Sequence, residues 1–282
     1  MNAQSLSQKA DHLRELHHGP RILVLPNAWD ASSARIVEES GFPAIATTSA
    51  GVAFTLGHSD GQIVTRDEML AVVARIARAV SVPVTADMEA GYGNTPAHTA
   101  DTAKALLAAG AVGLNLEDLA PNSTTTLNPV DLQTEKIRAL RDSSKSLGAS
   151  LVINARTDIY LGQIGDAATR FDRTVERLRA YRQAGADCLF VPGINDRDTI
   201  EKLVRALQAP LNVLIFQGCP TIPDLEKIGV ARASTGSATM RATLGLTRRI
   251  AKELFSTGTY SSLLEDSVPF AEANKLFTAS HS

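Results

Sequence analysis

The sequence of 282 residues predicts an α/β protein closed into a single (β/α)8 TIM barrel, with an N-terminal helix and a C-terminal helical extension. Three observations carry this. Short β-branched runs alternate strictly with helical patterns, which implies a parallel sheet covered by helices. The strand candidates are almost continuously apolar, as strands buried on both faces are. The turn after the first strand reads Pro26-Asn27-Ala28-Trp29-Asp30. It has no glycine-rich fingerprint of the competing arrangement, a doubly wound open sheet.

Taken in order, residues 5–17 set Leu6, Leu13 and Leu16 among charges and predict a short surface helix. The first strand is 21–25, and Asp30 caps a helix over 29–40 that ends at Gly41. A strand at 44–48 comes next, then a helix at 66–80 announced by Thr65 with Glu68 three residues on. Strand 82–87 precedes helix 96–109, strand 112–117 precedes helix 130–147, and strand 150–156 precedes helix 166–184; these helices end at Gly110, Gly148 and Gly185. Strand 187–191 leads to a helix at 196–208 opened by Asp196. Strand 211–215 leads to a helix at 221–228 ended by Gly229, and strand 230–234 to a helix at 236–256. Eight such units match the barrel. No linker interrupts them, so residues 1–282 read as one domain, with the barrel at about 20–256 and the extension at 257–282. The extension carries Leu263, Leu264, Val268, Pro269, Phe270 and Phe277. It is too apolar for a free tail and is expected to pack on the barrel or on a neighbouring subunit.

Hydrophobic residues make up 44% and charged residues 21%, with a formal net charge of −2. No basic cluster suggests nucleic acid or a membrane surface as a partner. The N-terminus has no apolar signal core and no apolar run is long enough to span a bilayer, so a soluble cytoplasmic protein is expected. Cys188 and Cys219 make neither a disulfide framework nor a metal-binding spacing and read as buried thiols.

In a barrel the chemistry sits at the C-terminal ends of the strands. The third strand ends Val84-Thr85-Ala86-Asp87-Met88-Glu89-Ala90-Gly91-Tyr92-Gly93-Asn94. Residues i and i+2 of a strand point the same way, so Asp87 and Glu89 are expected to share one space. Paired carboxylates repel unless a cation lies between them, and a hard divalent ion such as Mg²⁺ suits them. The plainer alternative is a capping Asp87 with a solvated Glu89. The second strand ends Thr47-Thr48-Ser49-Ala50-Gly51, small residues that leave amides and hydroxyls free for a carboxylate, or that form a tight packing turn. The next loop adds Asp60. The fourth strand delivers Glu117 and Asp118. The fifth ends Asn154-Ala155-Arg156-Thr157-Asp158, where Arg156 could clamp a carboxylate bidentately.

This ordered set, together with the Leu56-Gly57-His58-Ser59-Asp60 turn, resembles the isocitrate lyase/phosphoenolpyruvate mutase superfamily over roughly residues 20–245. The resemblance implies (β/α)8 barrels assembled as homotetramers, dimers of dimers, with the eighth helix exchanged between partners; here the helix at 236–256 and the apolar tail would supply that exchange. It implies Mg²⁺ or Mn²⁺ held at the Asp87, Glu89 and Glu117 positions, some through water. It implies a 2-oxo acid or its enolate as the small-molecule partner. Ser49 with the amides of Ala50 and Gly51 matches the carboxylate site, Asp60 and Asp87 the metal side, and Arg156 the substrate-binding arginine. The reactions implied make or break a C–C or C–P bond beside a pyruvate enolate.

The departures sharpen the expectation. The isocitrate and methylisocitrate lyases carry Lys-Lys-Cys-Gly-His after the fourth strand, whereas this chain has Leu119-Ala120-Pro121-Asn122-Ser123-Thr124-Thr125-Thr126-Leu127-Asn128. The loop lysine of phosphonate-handling members is absent too, and Gly193 in Val191-Pro192-Gly193 stands where the lyases have a glutamate. A metal-dependent lyase of a small 2-oxo or 2-hydroxy di- or tricarboxylate is expected, of the oxaloacetate decarboxylase or methylisocitrate/dimethylmalate lyase kind. Its rivals are phosphonopyruvate hydrolysis and a 2-oxo-acid-binding protein without turnover. Asp60, Arg156, Glu117 and Tyr92 are the catalytic candidates. His58 and Cys219 are weaker candidates for the missing acid. Asn122 and Ser123 are expected to touch a distal substrate group from a closing loop.

Overall fold

The computed structural model describes residues 5–120 and 123–278. Nine parallel strands form one ring. The first predicted strand, 21–25, appears as β1 (Leu23–Leu25), and the turn expected after it holds a further short strand, β2 (Asn27–Ala28), set apart from β1 by Pro26, which has no N–H to give a neighbour. The other seven appear as predicted, slightly trimmed: β3 (Ile45–Thr47), β4 (Val84–Asp87), β5 (Gly113–Leu116), β6 (Val152–Arg156), β7 (Cys188–Val191), β8 (Leu211–Leu214) and β9 (Arg232–Ser234). The strand order is β1-β9-β8-β7-β6-β5-β4-β3-β2. Leu23 of β1 faces Arg232 of β9, and Asn27 of β2 faces Ala46 of β3, so the break at Pro26 is the seam that closes the barrel.

The outer helices match the predicted spans: α1 (Leu6–Leu16), α2 (Ala31–Glu39), then α4 (Arg66–Ala79), α5 (Pro96–Ala108), α6 (Val130–Ser146), α7 (Arg170–Gln183), α8 (Arg197–Leu207), α9 (Ile222–Lys227) and α10 (Ala238–Thr257). The capping signals act as read. Asp30 accepts from the Ser33 amide at 2.7 Å, Asp196 from the Thr199 amide at 2.8 Å, and Thr65 and Glu68 form a reciprocal box. One short helix has no counterpart among the predicted elements: α3 (Ser49–Thr55) begins inside the small-residue segment after β3.

Helix α1 is not the surface helix its charges suggest. It lies across the N-terminal end of the ring, where Ala10 and Leu13 pack on Leu23, Leu25, Ala44, Val112 and Val152. Fully burying a leucine contributes roughly 1.5–3 kcal/mol. Arg14 fixes the plug by donating from Nε to Asp187 at 3.0 Å and from Nη2 to the Ser150 carbonyl at 2.6 Å. Above this apolar floor the interior becomes polar, with Asn154, Asn212 and Arg232 fully buried. Barrel interiors are more often filled by branched apolar side chains.

At the other end of the chain α10 stands away from the ring. Met240 is its buried residue, while Phe255 is 95% exposed. Two further helices, α11 (Ser261–Leu264) and α12 (Phe270–Thr278), complete the extension. The last rests on α2, with Leu276 buried and its carbonyl accepting from Arg35 Nε at 2.7 Å. Among the described residues no helix is long and apolar enough to cross a membrane.

Candidate active site

Strand β4 ends on Asp87, and its carboxylate is held from two sides. The Ser49 amide and hydroxyl donate to Oδ2 at 3.2 and 2.8 Å, and Asn115 Nδ2 lies 3.5 Å from Oδ1. Glu89 reaches the same region by a different route from the one expected. The strand stops at Asp87, Met88 turns into the core, and Glu89 adopts a left-handed backbone with φ of 48°. A turn, not strand alternation, brings the two acids together. The turn is tied down by the Glu117 amide donating to the Glu89 carbonyl at 2.9 Å and by buried Lys136 donating from Nζ to the Ala90 carbonyl at 2.6 Å. Tyr92 is also left-handed, φ 54°, and its hydroxyl lies 3.5 Å from Glu89 Oε1. Each such non-glycine conformation costs about 1–3 kcal/mol and persists where its surroundings impose it.

Glu117 and Arg156 face each other, Nη1 to Oε2, at 2.9 Å. The rest of the guanidinium is also engaged: Nε and Nη2 donate to Asp158 Oδ1 at 3.0 and 2.6 Å. The fork expected to clamp a ligand is thus already turned to the chain's own acids. Asp118 is not at the mouth. It is fully buried and accepts from the Asp158 amide, Arg177 Nε and the Tyr181 hydroxyl at 3.0, 2.9 and 2.7 Å, bracing the fourth and fifth strand ends.

The small-residue segment is a helix start. Ser49 is committed to Asp87, and Thr48 Oγ1 accepts from the Gly51 amide at 3.3 Å. A Cβ on Gly51 would lie 2.5 Å from Thr48 Cγ2 and 3.0 Å from Trp29 Cβ, so close packing is part of its role. Ala50 lines a cavity of about 290 Å³ with Ser49, Asp60, Asp87 and Arg156. Asp60 also borders an adjoining cavity of about 220 Å³ with Glu89, Glu117 and Ser123. Ser123 Oγ accepts from the Thr125 and Thr126 amides, which shapes its loop. Asn122 lies outside the described residues.

Several acids therefore crowd one mouth, and their ionisation shows it. Burial first, then the charges of Asp87, Glu117 and Asp60, pushes Glu89 up to about 9. Burial also raises Glu117, helped by Asp158, Asp87 and Asp60 and opposed by Arg156. Asp60 is raised by burial and by Asp87. Tyr92 is driven far upward by burial and by Glu89, so its hydroxyl stays protonated and can donate. Asp87, Glu89 and Glu117 are hard oxygen donors whose repulsion a divalent cation would relieve. Among the described residues no three acidic, histidine or cysteine side chains converge tightly enough to grip an ion directly. The set fits Mg²⁺ better than a closed cage would, because Mg²⁺ keeps several waters and takes one or two carboxylates.

Three residues at or beneath the mouth escape sequence reasoning. Asn115 and Lys136 lie inside strand and helix patterns with nothing to single them out. Arg241, in the first turns of α10, lines the larger cavity. Its signal is positional: the loop after the last strand and the start of its helix lie at the mouth of a barrel. The two weaker acid candidates do not line either cavity: His58 is exposed, and Cys219 Sγ turns to the Leu214 and Ile194 carbonyls at 3.4 and 3.6 Å. Gly193 has a steric cause, since a Cβ there would lie 2.6 Å from the Leu161 backbone.

A sequence profile described as phosphoenolpyruvate phosphomutase matches residues 13–255. The chain belongs to the isocitrate lyase/phosphoenolpyruvate mutase superfamily. An uncharacterized protein of Mycobacterium tuberculosis strain H37Rv is 39% identical over 92% of this chain and 93% of its own. An oxaloacetate decarboxylase of Bradyrhizobium diazoefficiens is 32% identical over 75% of this chain and 72% of its own. The solved 2,3-dimethylmalate lyase, a superfamily member, superposes with a TM-score of 0.83 at 26% identity, covering 95% of this chain and 94% of that one. Relatives of this superfamily member are lyases, and its barrel is theirs.

Proposed function

We propose that this superfamily member is a divalent-cation-dependent carbon–carbon lyase of a small 2-oxo or 2-hydroxy di- or tricarboxylate. The carrying observation is the crowding of Asp60, Asp87, Glu89 and Glu117 at one mouth, with Glu89 pushed up to about 9. Mg²⁺ or Mn²⁺ would be held by Asp87, Glu89 and Glu117, partly through water. When bound, the cation supplies the positive charge that offsets charge developing on the substrate's C2 oxygen.

The chain's own residues do the rest. Ser49 and Asn115 hold Asp87 in orientation, and Tyr92 donates toward Glu89. Arg156, fixed by Asp158 and Glu117, places a rigid positive charge beside the C1 carboxylate rather than swinging to meet it. Ala50 closes the same wall, Asp60 spans both cavities, and Ser123 borders the smaller one. Arg241 at the rim meets a second carboxylate, which favours diacids over monoacids. For oxaloacetate, the C3–C4 bond breaks, CO₂ leaves, its electron pair passes through C3 to the C2 oxygen, and a proton returns to C3. Among the described residues lining the two cavities none is Cys, His, Lys or Tyr, so that proton comes from water or from a carboxyl of the mouth that burial keeps protonated. The homotetramer, with α10 covered by a partner subunit, belongs to the same reading; the exposure of Phe255 supports it.

The test is proton and phosphorus NMR of oxaloacetate, methylisocitrate, dimethylmalate and phosphonopyruvate, with and without Mg²⁺, each against a metal-only control. Metal-dependent C–C cleavage of one of them is the expected result. Release of phosphate from phosphonopyruvate alone would replace this reading with C–P hydrolysis. Mg²⁺-dependent binding of oxalate without any turnover would replace it with a binding protein.

A further inference from the structure

Inside the barrel lies an arginine to which the lyase chemistry gives no role. Arg232 stands on β9, level with Asn212 of β8 and Leu23 of β1, and it is fully buried. Its Nε and Nη1 have no hydrogen-bond partner among the described residues. The bond it does make runs from Nη2 to Asn115 Oδ1 at 3.4 Å. Burying a guanidinium with so few partners is costly, and an apolar side chain would fill the space more cheaply.

The effect of the arginine lies in the Asn115 amide. Asn154 Nδ2 donates to the same Asn115 oxygen at 2.8 Å. A guanidinium can only donate, so it cannot tolerate the amide's NH₂ end. With its oxygen held downward, Asn115 must present its NH₂ upward, where Asp87 Oδ1 lies 3.5 Å away. Ser49 holds the other oxygen of Asp87 from the side. The acid at the end of β4 is thereby fixed about both oxygens, one of them from beneath.

We propose that Arg232 is a positioning residue: from within the barrel it sets the orientation of the Asn115 amide, and through it the orientation of the Asp87 carboxylate. This rests on the reading of Asp87 as a cation-holding residue. Partners that orient a ligand in this way typically matter 10–100-fold for metal affinity.

The experiment is a Mn²⁺ titration of the full chain monitored by electron paramagnetic resonance, with thermal unfolding in parallel. It compares the natural chain, Arg232→Met, Asn115→Ala and the double variant. Each single change is expected to weaken Mn²⁺ binding about 10-fold or more. The double variant should bind no more weakly than Asn115→Ala, because the influence of Arg232 passes through that amide, whereas purely structural losses would add. Additive losses, or unchanged affinity in a folded Arg232→Met, overturn the proposal. Should Arg232→Met fail to fold, the same cycle is run with Arg232→Lys, where a loss that persists in the Asn115→Ala background is the overturning result. Absence of Mn²⁺ binding by the natural chain removes the cation reading and this inference together; binding with a failed cycle removes this inference alone.

Discussion

Glu89 makes the most accessible prediction at the scale of single residues. Its folded-state proton affinity is raised from an ordinary 4.5 to about 9 by burial and by Asp87, Glu117 and Asp60. Across that window the folded chain holds a proton that the unfolded chain has released, so stability should fall as pH rises from about 5 to about 9. Glu89→Gln should flatten the fall, and Mg²⁺ should raise the melting temperature most at the alkaline end, where the carboxylates are free to bind it. Melting curves across that range, with and without Mg²⁺, check both; a slope unchanged in Glu89→Gln would mean that Glu89 titrates normally. Arg241 makes the second. Losing a charge-assisted hydrogen bond costs about 1.5–3 kcal/mol, so Arg241→Met should weaken an oxaloacetate-type diacid about 10–100-fold. Oxalate, the shortest diacid, should lose little. Calorimetry with both ligands decides, and equal losses would remove Arg241 from substrate contact. The sequence discloses the acids because carboxylates beside glycines at a strand end are conspicuous. It cannot disclose that Arg156 is bound by Asp158, or that Asp118 faces inward to Tyr181, since those depend on which way a side chain turns once the strands are side by side.

Among the elements, strands and helices are legible wherever periodicity and caps agree. The failures have local causes. The two-residue strand β2 beyond Pro26 is too short, and with Asn27 too polar, to read as a strand, and the α3 helix hides in residues too small to show a period. The plug helix α1 reads as a surface helix because its buried side is only Ala10 and Leu13 amid charges. The loop after β7 supplies the prediction here. Gly193 has φ of 88° and its missing Cβ would press on the Leu161 backbone at 2.6 Å. Gly193→Ala should cost about 1–3 kcal/mol, the usual range for overpacking. Denaturant unfolding measures it; full stability would show that the 158–162 turn yields easily. By the same contact, a glutamate would fit at this position only if the Leu161 backbone shifted.

For the whole molecule, the exposed face of α10 bears on assembly. A helix of 20 residues carrying Phe255 at 95% exposure and Leu254 at 46% is poorly suited to water alone. Under the tetramer reading, Phe255→Asp should lower the mass seen by analytical ultracentrifugation while leaving helical content unchanged. An unaltered mass would place the subunit contact elsewhere. The seam at Pro26 bears on synthesis as well. Leu23 is among the first strand residues to be made and Arg232 among the last, yet they are neighbours in the ring. Until residues 232–234 emerge, every earlier strand belongs to a sheet with two unpaired edges, open to pairing with other chains. The barrel is therefore a structure completed late, and a nascent chain must be kept from its neighbours for most of its elongation. Chains stopped before Arg232 should be cut rapidly by protease where the longer chain resists; equal resistance would mean that the sheet is stable while still open.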